Sequence, residues 1–382
     1  MKRRNKISSF FSIGIFFILL FSAFLQKQFH FLAEIPNKEN RRLSELPAFN
    51  LNYLDPFPLA YESYYNDQFA FRNQIIKLYA DINLNLFKIS PFPDQVIIGK
   101  RGHLFLVPNE LANYQRTNLL SQSDLDKLRS DFIHRKKYFE QKGIDYYVAV
   151  APSKYTIYPE FLPGEVMKLD TVCRADQFIG VLKSIGIQVI DLRTSLRAAK
   201  DTVPGLLFLK TDNHWNELGA FIAYQDIMNQ ISRKHPGLPV LRSRDFEIKE
   251  ETCKGGDIAS ILNWQQNDID VHYTFTPRYT IRTTEITPCP YPIPKDIGDG
   301  HYYSGYYIEN STLPKFLMIH DSFGRIILPY FRDSFSRTAF VWDHWQYKIN
   351  ENLVEGEKPA VYVILCFEGL LNSVVNNCEI KK

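Results

Sequence analysis

Two short polar stretches break into apolar segments of this 382-residue chain: TDNHWN at 211–216 and HDSFG at 320–324. Together they supply a carboxylate, an imidazole and a hydroxyl, the three parts of a nucleophile relay. A Ser hydroxyl attacks poorly until an imidazole takes its proton, and a carboxylate fixes the tautomer of that imidazole. Asp212 and His214 stand two apart and can pair on one loop. Ser322 enters an apolar helical segment, where its own N–H would lie at the positive helix end and stabilise an oxyanion. Two other readings fit the same residue types. Ser after Asp at a helix start serves as an N-cap. Asp-x-His, completed by His320 and Asp321, can ligate a metal. A second copy of the pattern, VWDHW at 341–345, places Asp343 and His344 after another apolar run. Only Asp212 leads into a long amphipathic helix opened by an Asn, which favours the first copy.

Elements that would position these residues follow from the apolar pattern. DYYVAVA, IQVIDL, LLFLK, KFLMIH, TAFVW and AVYVILCFE read as short, nearly continuous apolar strands. Between them RADQFIGVLKSIG, NELGAFIAYQDIMNQISRK and GRIILPYFRDSF read as helices, with Pro329 kinking or shortening the last. Strand–helix alternation predicts an α/β fold whose mostly parallel sheet is covered on both faces. Ligands of such sheets bind at the carboxyl ends of the strands, where both polar stretches would fall. Upstream, the spacing predicts a helix over about 59–87, a hairpin in DQVIIGKRGHLFLV and a Ser-capped helix in SQSDLDKLRSDFIHRKKYFEQKG. An irregular insert covers about 235–312. Within it, Asp257 of GGDIASIL reads as a cap for IASIL, or as a wall of a binding groove near the two polar stretches.

Charge adds a membrane signal and removes a nucleic-acid one. The chain holds 45 basic and 42 acidic residues. Lys2, Arg3, Arg4 and Lys6 exceed the net charge of +3, so the remainder is slightly acidic and carries no basic stripe. Ile7–Leu25 is free of charge for 19 residues, just enough to span a bilayer, with its cationic flank in the cytoplasm. It lacks the short apolar core and small-residue exit of a cleaved signal, so a retained anchor is expected. The organisation predicted is a basic tail (1–6), a transmembrane anchor (7–25), a stalk (26–57) and an exported domain (58–382). Five dispersed cysteines make no zinc pattern, and Cys253–Cys289 is the one pairing suggested.

TDNHWNELGAFIAY resembles the D-x-H-W-n-x-x-G-A block of the AlgX/AlgJ-type SGNH-like proteins, whose members O-acetylate exported polysaccharides, and of the related DHHW family. Further matches run in the same order: FAFRNQ (69–74), VIIGKRGHLF (96–105), APSKYTIYPEFLP (151–163), GGDIASIL, HDSFG and EKPAVYVILCFE (357–368). The chain departs at His103, where the family often has Trp, and at Gly369, where it often has Arg. The resemblance implies a three-layer SGNH-like fold in circularly arranged order, with the Asp/His block before the Ser block. It gives Asp212, His214 and Ser322 the relay roles, with no metal and no cofactor. It also implies an O-acyltransferase, an O-acetyltransferase by analogy, that acylates an exported polysaccharide and receives its acyl group through a membrane-bound O-acyltransferase partner. A carbohydrate esterase would use the same triad with water as acceptor, and an inactive polysaccharide-binding protein would keep only the fold. The expected location is the inner membrane, single-pass, with the catalytic domain in the periplasm or outside the cell. A reporter fused at the C-terminus is therefore expected to be active only outside the cytoplasm, and a cytoplasmic signal from it would overturn this topology.

Overall fold

The computed structural model describes residues 2–33, 35, 42–51, 54–107, 109–262, 264, 269–293 and 302–378. Met1 and parts of the expected stalk and insert lie outside the described residues. The chain divides into two compact units, residues 1–92 with 260–264, and 93–259 with 265–382.

The first unit contains α1 (Lys2–Phe29), α2 (Phe57–Asp67), α3 (Arg72–Asp81) and a π-helical turn at Ile82–Phe87. The single helix expected over 59–87 is thus three pieces. No single helix among the described residues is long and apolar enough to cross a membrane; Phe10–Ile18 and Phe21–Phe29 reach that measure together, bent by 41°.

The second unit opens with a hairpin of β1 (Val96–Ile98) and β2 (Leu104–Leu106) around Lys100–Gly102, as the sequence predicts. The helices α4 (Asn109–Gln115) and α5 (Gln122–Gln141) follow. Ser121 and Asp124 cap α5 reciprocally, satisfying two of its first amides. Then come β3 (Asp145–Ala151), α6 (Lys154–Ile157), α7 (Arg174–Ser184), β4 (Gln188–Asp191), α8 (Leu192–Lys200) and α9 (Glu217–Ile231). The expected insert is not wholly irregular, because β5 (Phe246–Cys253) pairs antiparallel with β6 (Asp270–Pro277), flanking the short α10 (Asp257–Ile261). The chain continues through β7 (Thr284–Glu285), β8 (Tyr303–Tyr307), β9 (Lys315–His320), α11 (Gly324–Phe331), β10 (Arg337–Trp342), α12 (Glu351–Glu357), β11 (Val361–Phe367) and α13 (Leu371–Asn376). Pro329 lies inside α11, which ends two residues later in a 3₁₀ turn.

Seven strands form one mixed sheet in the order β4-β3-β11-β9-β10-β8-β7. The first five are mutually parallel, and β8 and β7 extend the edge antiparallel. Alternation of side chains along each strand builds two cores. Tyr147, Ala149, Val363, Leu365, Phe316 and Met318 pack with α8, α9 and α11 on one face. Tyr146, Val148, Tyr362, Ile364, Leu317 and Ile319 pack with α5, α7 and α13 on the other. Burial of both faces explains why these strands read as unbroken apolar runs.

LLFLK is not a strand. Phe208 forms only an isolated bridge to Trp215, and residues 206–216 are an irregular loop. Five apolar residues report burial but not which groups satisfy their backbone, and here those groups are side chains together with the Leu104 and Asn216 amides rather than a strand ladder. All five cysteines are free thiols, so the suggested Cys253–Cys289 pair is not formed.

Helix α9 approaches this loop closely at Gly219, where a Cβ would lie 2.3 Å from the Leu207 carbonyl oxygen. Gly219→Ala improves helix propensity yet forces backbone apart, so a net loss of about 1–3 kcal/mol is expected from the midpoint of urea unfolding. A raised midpoint would refute the close approach.

Candidate active site

The irregular loop 209–214 is held by side chains from three directions. Lys154, the first residue of α6, sends its ammonium to the carbonyls of Leu209 (3.2 Å), Lys210 (2.9 Å) and Asp212. Burial pulls this ammonium down to about 8, partly offset by Asp212, Glu110 and Asp270, so it stays charged near neutral pH. Asp270 accepts from the amides of Lys210 and Thr211 and from the Thr211 hydroxyl. The amides of Ile258 and Ala259 donate to the Thr211 carbonyl, 3.1 Å each. Beyond the loop, Asn216 caps α9 by accepting from Leu218 and Gly219.

Asp212 and His214 pair as their spacing predicts. His214 Nδ1 lies 2.7 Å from Asp212 Oδ1, which also accepts from the His214 amide at 3.0 Å. The other oxygen, Oδ2, accepts from the Asp257 amide at 2.9 Å. Asp257 is therefore the first residue of α10, with its N–H holding Asp212, where the sequence suggests a capping carboxylate. A Cβ on the preceding Gly256 would lie 2.5 Å from Asp212 Oδ2, so only glycine allows this approach. Burial alone would raise Asp212, but the hydrogen bond and charge of His214, with the two amides, hold it well below the usual carboxylate range. Burial alone would lower His214; the Asp212 hydrogen bond and charge outweigh it and lift the imidazole above its ordinary value.

Ser322 follows β9 and meets that imidazole. Its Oγ is 2.9 Å from His214 Nε2, across 108 residues of sequence. The hydroxyl does not cap the next helix, since Phe323 occupies the N-cap position and no side chain there accepts a helix amide. Asp321 shapes the turn in its place. Its buried carboxylate accepts from the Phe323 amide (2.9 Å), the Phe367 amide (2.7 Å) and the Tyr347 hydroxyl (2.7 Å). Trp215 ties the two loops directly, its indole N–H donating to the Phe323 carbonyl at 3.0 Å. Asp212, His214 and Ser322 thus form one continuous hydrogen-bonded line.

The alternative metal set does not assemble. His320 is fully buried, bonded through Nδ1 to the Asp321 carbonyl (2.7 Å) and pushed down to about 4 by burial. Asp212 and His214 instead gather with Asp257, ligand atoms lying within 4.8 Å of one another. The repeated motif at 341–345 has a different part. His344, Trp345 and Tyr347 all adopt left-handed backbone (φ 51°, 60° and 51°), and that turn delivers the Tyr347 hydroxyl to Asp321.

Lys154 after β3, Glu110 on α4 and Tyr347 carry no distinguishing local sequence signal, and Asp321 reads in the sequence only as a possible metal ligand. Glu110 accepts from Asn213 Nδ2 at 3.4 Å, and burial pushes it to about 8 despite Lys154, so it is largely protonated at neutral pH. At the departing His103, burial and then Lys154, Lys210 and Arg101 push the ring to about 3. It is a neutral plate stacked on Phe161 at 3.9 Å. Glu368 accepts from the Ser153 amide at 2.8 Å and from the Thr156 hydroxyl, fastening β11 to the segment that bears Lys154.

Comparison with known proteins places these elements. Residues 96–288 match the family model described as an SGNH hydrolase-like domain, acetyltransferase AlgX. Over 205 residues the chain is 28% identical to the probable alginate O-acetylase AlgJ of Pseudomonas aeruginosa, covering 53% of this chain and 49% of that one. A second AlgJ, from Pseudomonas syringae pv. tomato, is 28% identical over 46% of this chain and 43% of its own. The chain spans about half the length of the curated relatives it matches. Among solved structures, PatB1 of Bacillus cereus superposes with a TM-score of 0.55 at 15% identity, over 75% of this chain and 100% of that one. A DHHW family protein from Eubacterium siraeum gives 0.51 at 16%, with the same coverage. These likenesses establish an SGNH-like α/β fold.

Lys154→Met tests the loop's dependence on its ammonium. The carbonyls of Leu209 and Asp212 would lose their donor while that of Lys210 keeps the Leu104 amide, and a loss of about 2 kcal/mol or more is expected in denaturant unfolding. A variant as stable as the parent would show that other donors satisfy the loop.

Proposed function

Since the chain belongs to the family of SGNH hydrolase-like acetyltransferases typified by AlgX, we propose that it is a membrane-anchored, extracytoplasmic O-acyltransferase that acetylates a polysaccharide through Ser322, His214 and Asp212. The reading is supported above all by the line from Ser322 Oγ to His214 Nε2 (2.9 Å) and from His214 Nδ1 to Asp212 (2.7 Å). His214 Nε2 takes the Ser322 proton as Oγ attacks the acetyl carbonyl of the donor. The tetrahedral oxyanion lies beside the Ser322 backbone N–H, which has no partner among the described residues. Collapse expels the donor's leaving group, which takes the proton from His214, and leaves acetyl-Ser322. A sugar hydroxyl then gives its proton to His214, attacks the acyl carbon and departs as the ester, while Ser322 recovers the proton. Asp212 holds Nδ1–H throughout, so that Nε2 is the basic nitrogen.

Residues 7–25 serve in this reading as the single-pass anchor, which brings Ser322 near a membrane-bound acyl donor partner. Exposed apolar side chains on α1, among them Phe10, Phe16 and Phe24, support that role. An esterase reading is favoured by one observation: the His214 side chain keeps 20% of its surface exposed, so water can reach the relay. Transfer to an oligosaccharide in competition with hydrolysis separates the two.

Ser322→Ala is expected to abolish both transfer and hydrolysis of an activated acetyl ester while leaving the unfolding midpoint unchanged. His214→Ala should reach the same floor, because relay members act as a unit. Asp212→Asn should cost about 10⁴-fold, the scale of a wrong imidazole tautomer, whereas His344→Ala should retain most activity. The raised His214 pKa sets the sign of the pH profile. The imidazolium is stabilised by folding, a contribution complete below its unfolded pKa and lost as pH rises through the folded one. Activity needs the neutral ring, so it should rise with pH through a midpoint above 6.5, and Asp212→Asn should move that midpoint down. Survival of activity in Ser322→Ala with sensitivity to chelators would transfer the chemistry to the Asp212, His214 and Asp257 group.

A further inference from the structure

A second polar cavity of about 220 Å³ opens on the second unit, and Asp212, His214 and Ser322 are not among its lining residues. It lies where β3 and β4 end. Thr156 of α6 and Arg193 and Arg197 of α8 line it, and Arg116 and Lys168 enter from loops after α4 and before α7. The four cations are not equivalent. Arg193 is neutralised in place, 2.7 Å from Asp191 and 2.8 Å from Asp176. Arg116, Lys168 and Arg197 form no ion pair among the described residues. Arg116 donates to the Asp170 carbonyl at 2.5 Å, and Arg197 to the Thr156 carbonyl at 3.3 Å. Lys168 rests over the Tyr114 ring at 5.2 Å. Partial burial, then the charges of Arg116 and Arg197, lower the Lys168 pKa, which reflects three cations held within electrostatic reach of one another. Concentrated positive charge of this kind lowers its energy by taking an anion.

A separate observation concerns Asn113 of α4, which also lines the cavity. It is 3% exposed, and its Oδ1 has no hydrogen-bond partner among the described residues. A buried amide oxygen left without a donor is destabilising, and a hydroxyl brought to it by a ligand would remove that cost. The cavity therefore offers cations for one charged group, an acceptor for a hydroxyl, and the flank of an aromatic ring. Its volume suits a single sugar unit better than a drug-sized molecule.

We propose that this cavity binds a sugar bearing one oxyanion, a carboxylate or a phosphate, with Arg116, Lys168 and Arg197 holding the anion and Asn113 Oδ1 accepting a sugar hydroxyl. Where Ser322 is the transfer nucleophile, as read above, the cavity is a remote subsite for the acceptor glycan. β4 stands three strands from β9 in the sheet, a separation of about 14 Å at about 4.8 Å per strand, so a glycan seated here would extend along the carboxyl edge toward Ser322. The subsite would fix which sugar of the chain reaches the nucleophile, by position and charge.

Calorimetric titration of the full chain with glucuronate, glucose 6-phosphate, glucose and inorganic phosphate at millimolar concentrations tests the proposal. At least one of the two charged sugars should bind, more tightly than glucose or phosphate, with affinity falling as salt rises. The preferred charged sugar tells carboxylate from phosphate. The double variant Lys168→Gln/Arg197→Gln should lose at least tenfold in that affinity, with unchanged unfolding and unchanged acetylation of Ser322 by an activated ester. Failure of both charged sugars to bind, binding of glucose or phosphate as tight as theirs, or full affinity in the double variant would each overturn the subsite. None of these outcomes touches the relay, whose own failure is read from Ser322→Ala.

Discussion

A buried ammonium organises the candidate site. Residues 209–214 run through the interior without a strand's ladder, so their carbonyls must find donors elsewhere or each cost about 1–3 kcal/mol. Lys154 serves three of them from a position 58 residues earlier in the chain than Asp212. Its N–H groups reach the Leu209, Lys210 and Asp212 oxygens together, the Leu104 amide of β2 adds a second donor to Lys210, and Asp270 completes the arrangement on the amide side. Asp212 and His214 stand where they do because this knot of backbone is closed.

The Ser322 side rests on a buried carboxyl group. Asp321 gathers two amides and a phenol, joining the turn after β9 to the end of β11 and to the left-handed turn at 344–347. Trp215 then crosses from one loop to the other. An ammonium thus fixes the Asp212/His214 loop and a buried carboxyl group fixes the Ser322 turn, each from side chains outside the proposed relay. Both ends are set before any ligand arrives, as the proposed attack would require.

Burial sorts the ionisable groups around the relay into distinct states. Asp212 is held ionised by its partners, His214 is lifted by Asp212, and Glu110 and His320 are kept largely neutral by desolvation. His214 is thus the group in contact with Ser322 whose affinity for a proton its partner raises. On the same sheet edge, Arg116, Lys168 and Arg197 lack such compensation, a contrast that sets the second cavity apart.

Much of this was legible in sequence because it depends on local pattern. Unbroken apolar runs announced strands buried on both faces, the Ser121 cap announced α5, and two polar stretches held the residues that meet. The same local reading erred at LLFLK, since an apolar run shows that a segment is buried but not whether a ladder or a side chain satisfies its backbone. The mostly parallel sheet it expected is five parallel strands, but it placed no strands in the segment read as irregular, from which β8 and β7 add an antiparallel edge. The Asn-opened helix favoured TDNHWN over VWDHW in sequence; tertiary structure brings Ser322 to His214 across 108 residues and gives the second motif the task of presenting Tyr347. It alone assigned Lys154, Asp321 and Glu110 their parts. Their partners lie far along the chain, and the free energy of a buried charge depends on what surrounds it in space, which neither composition nor spacing records.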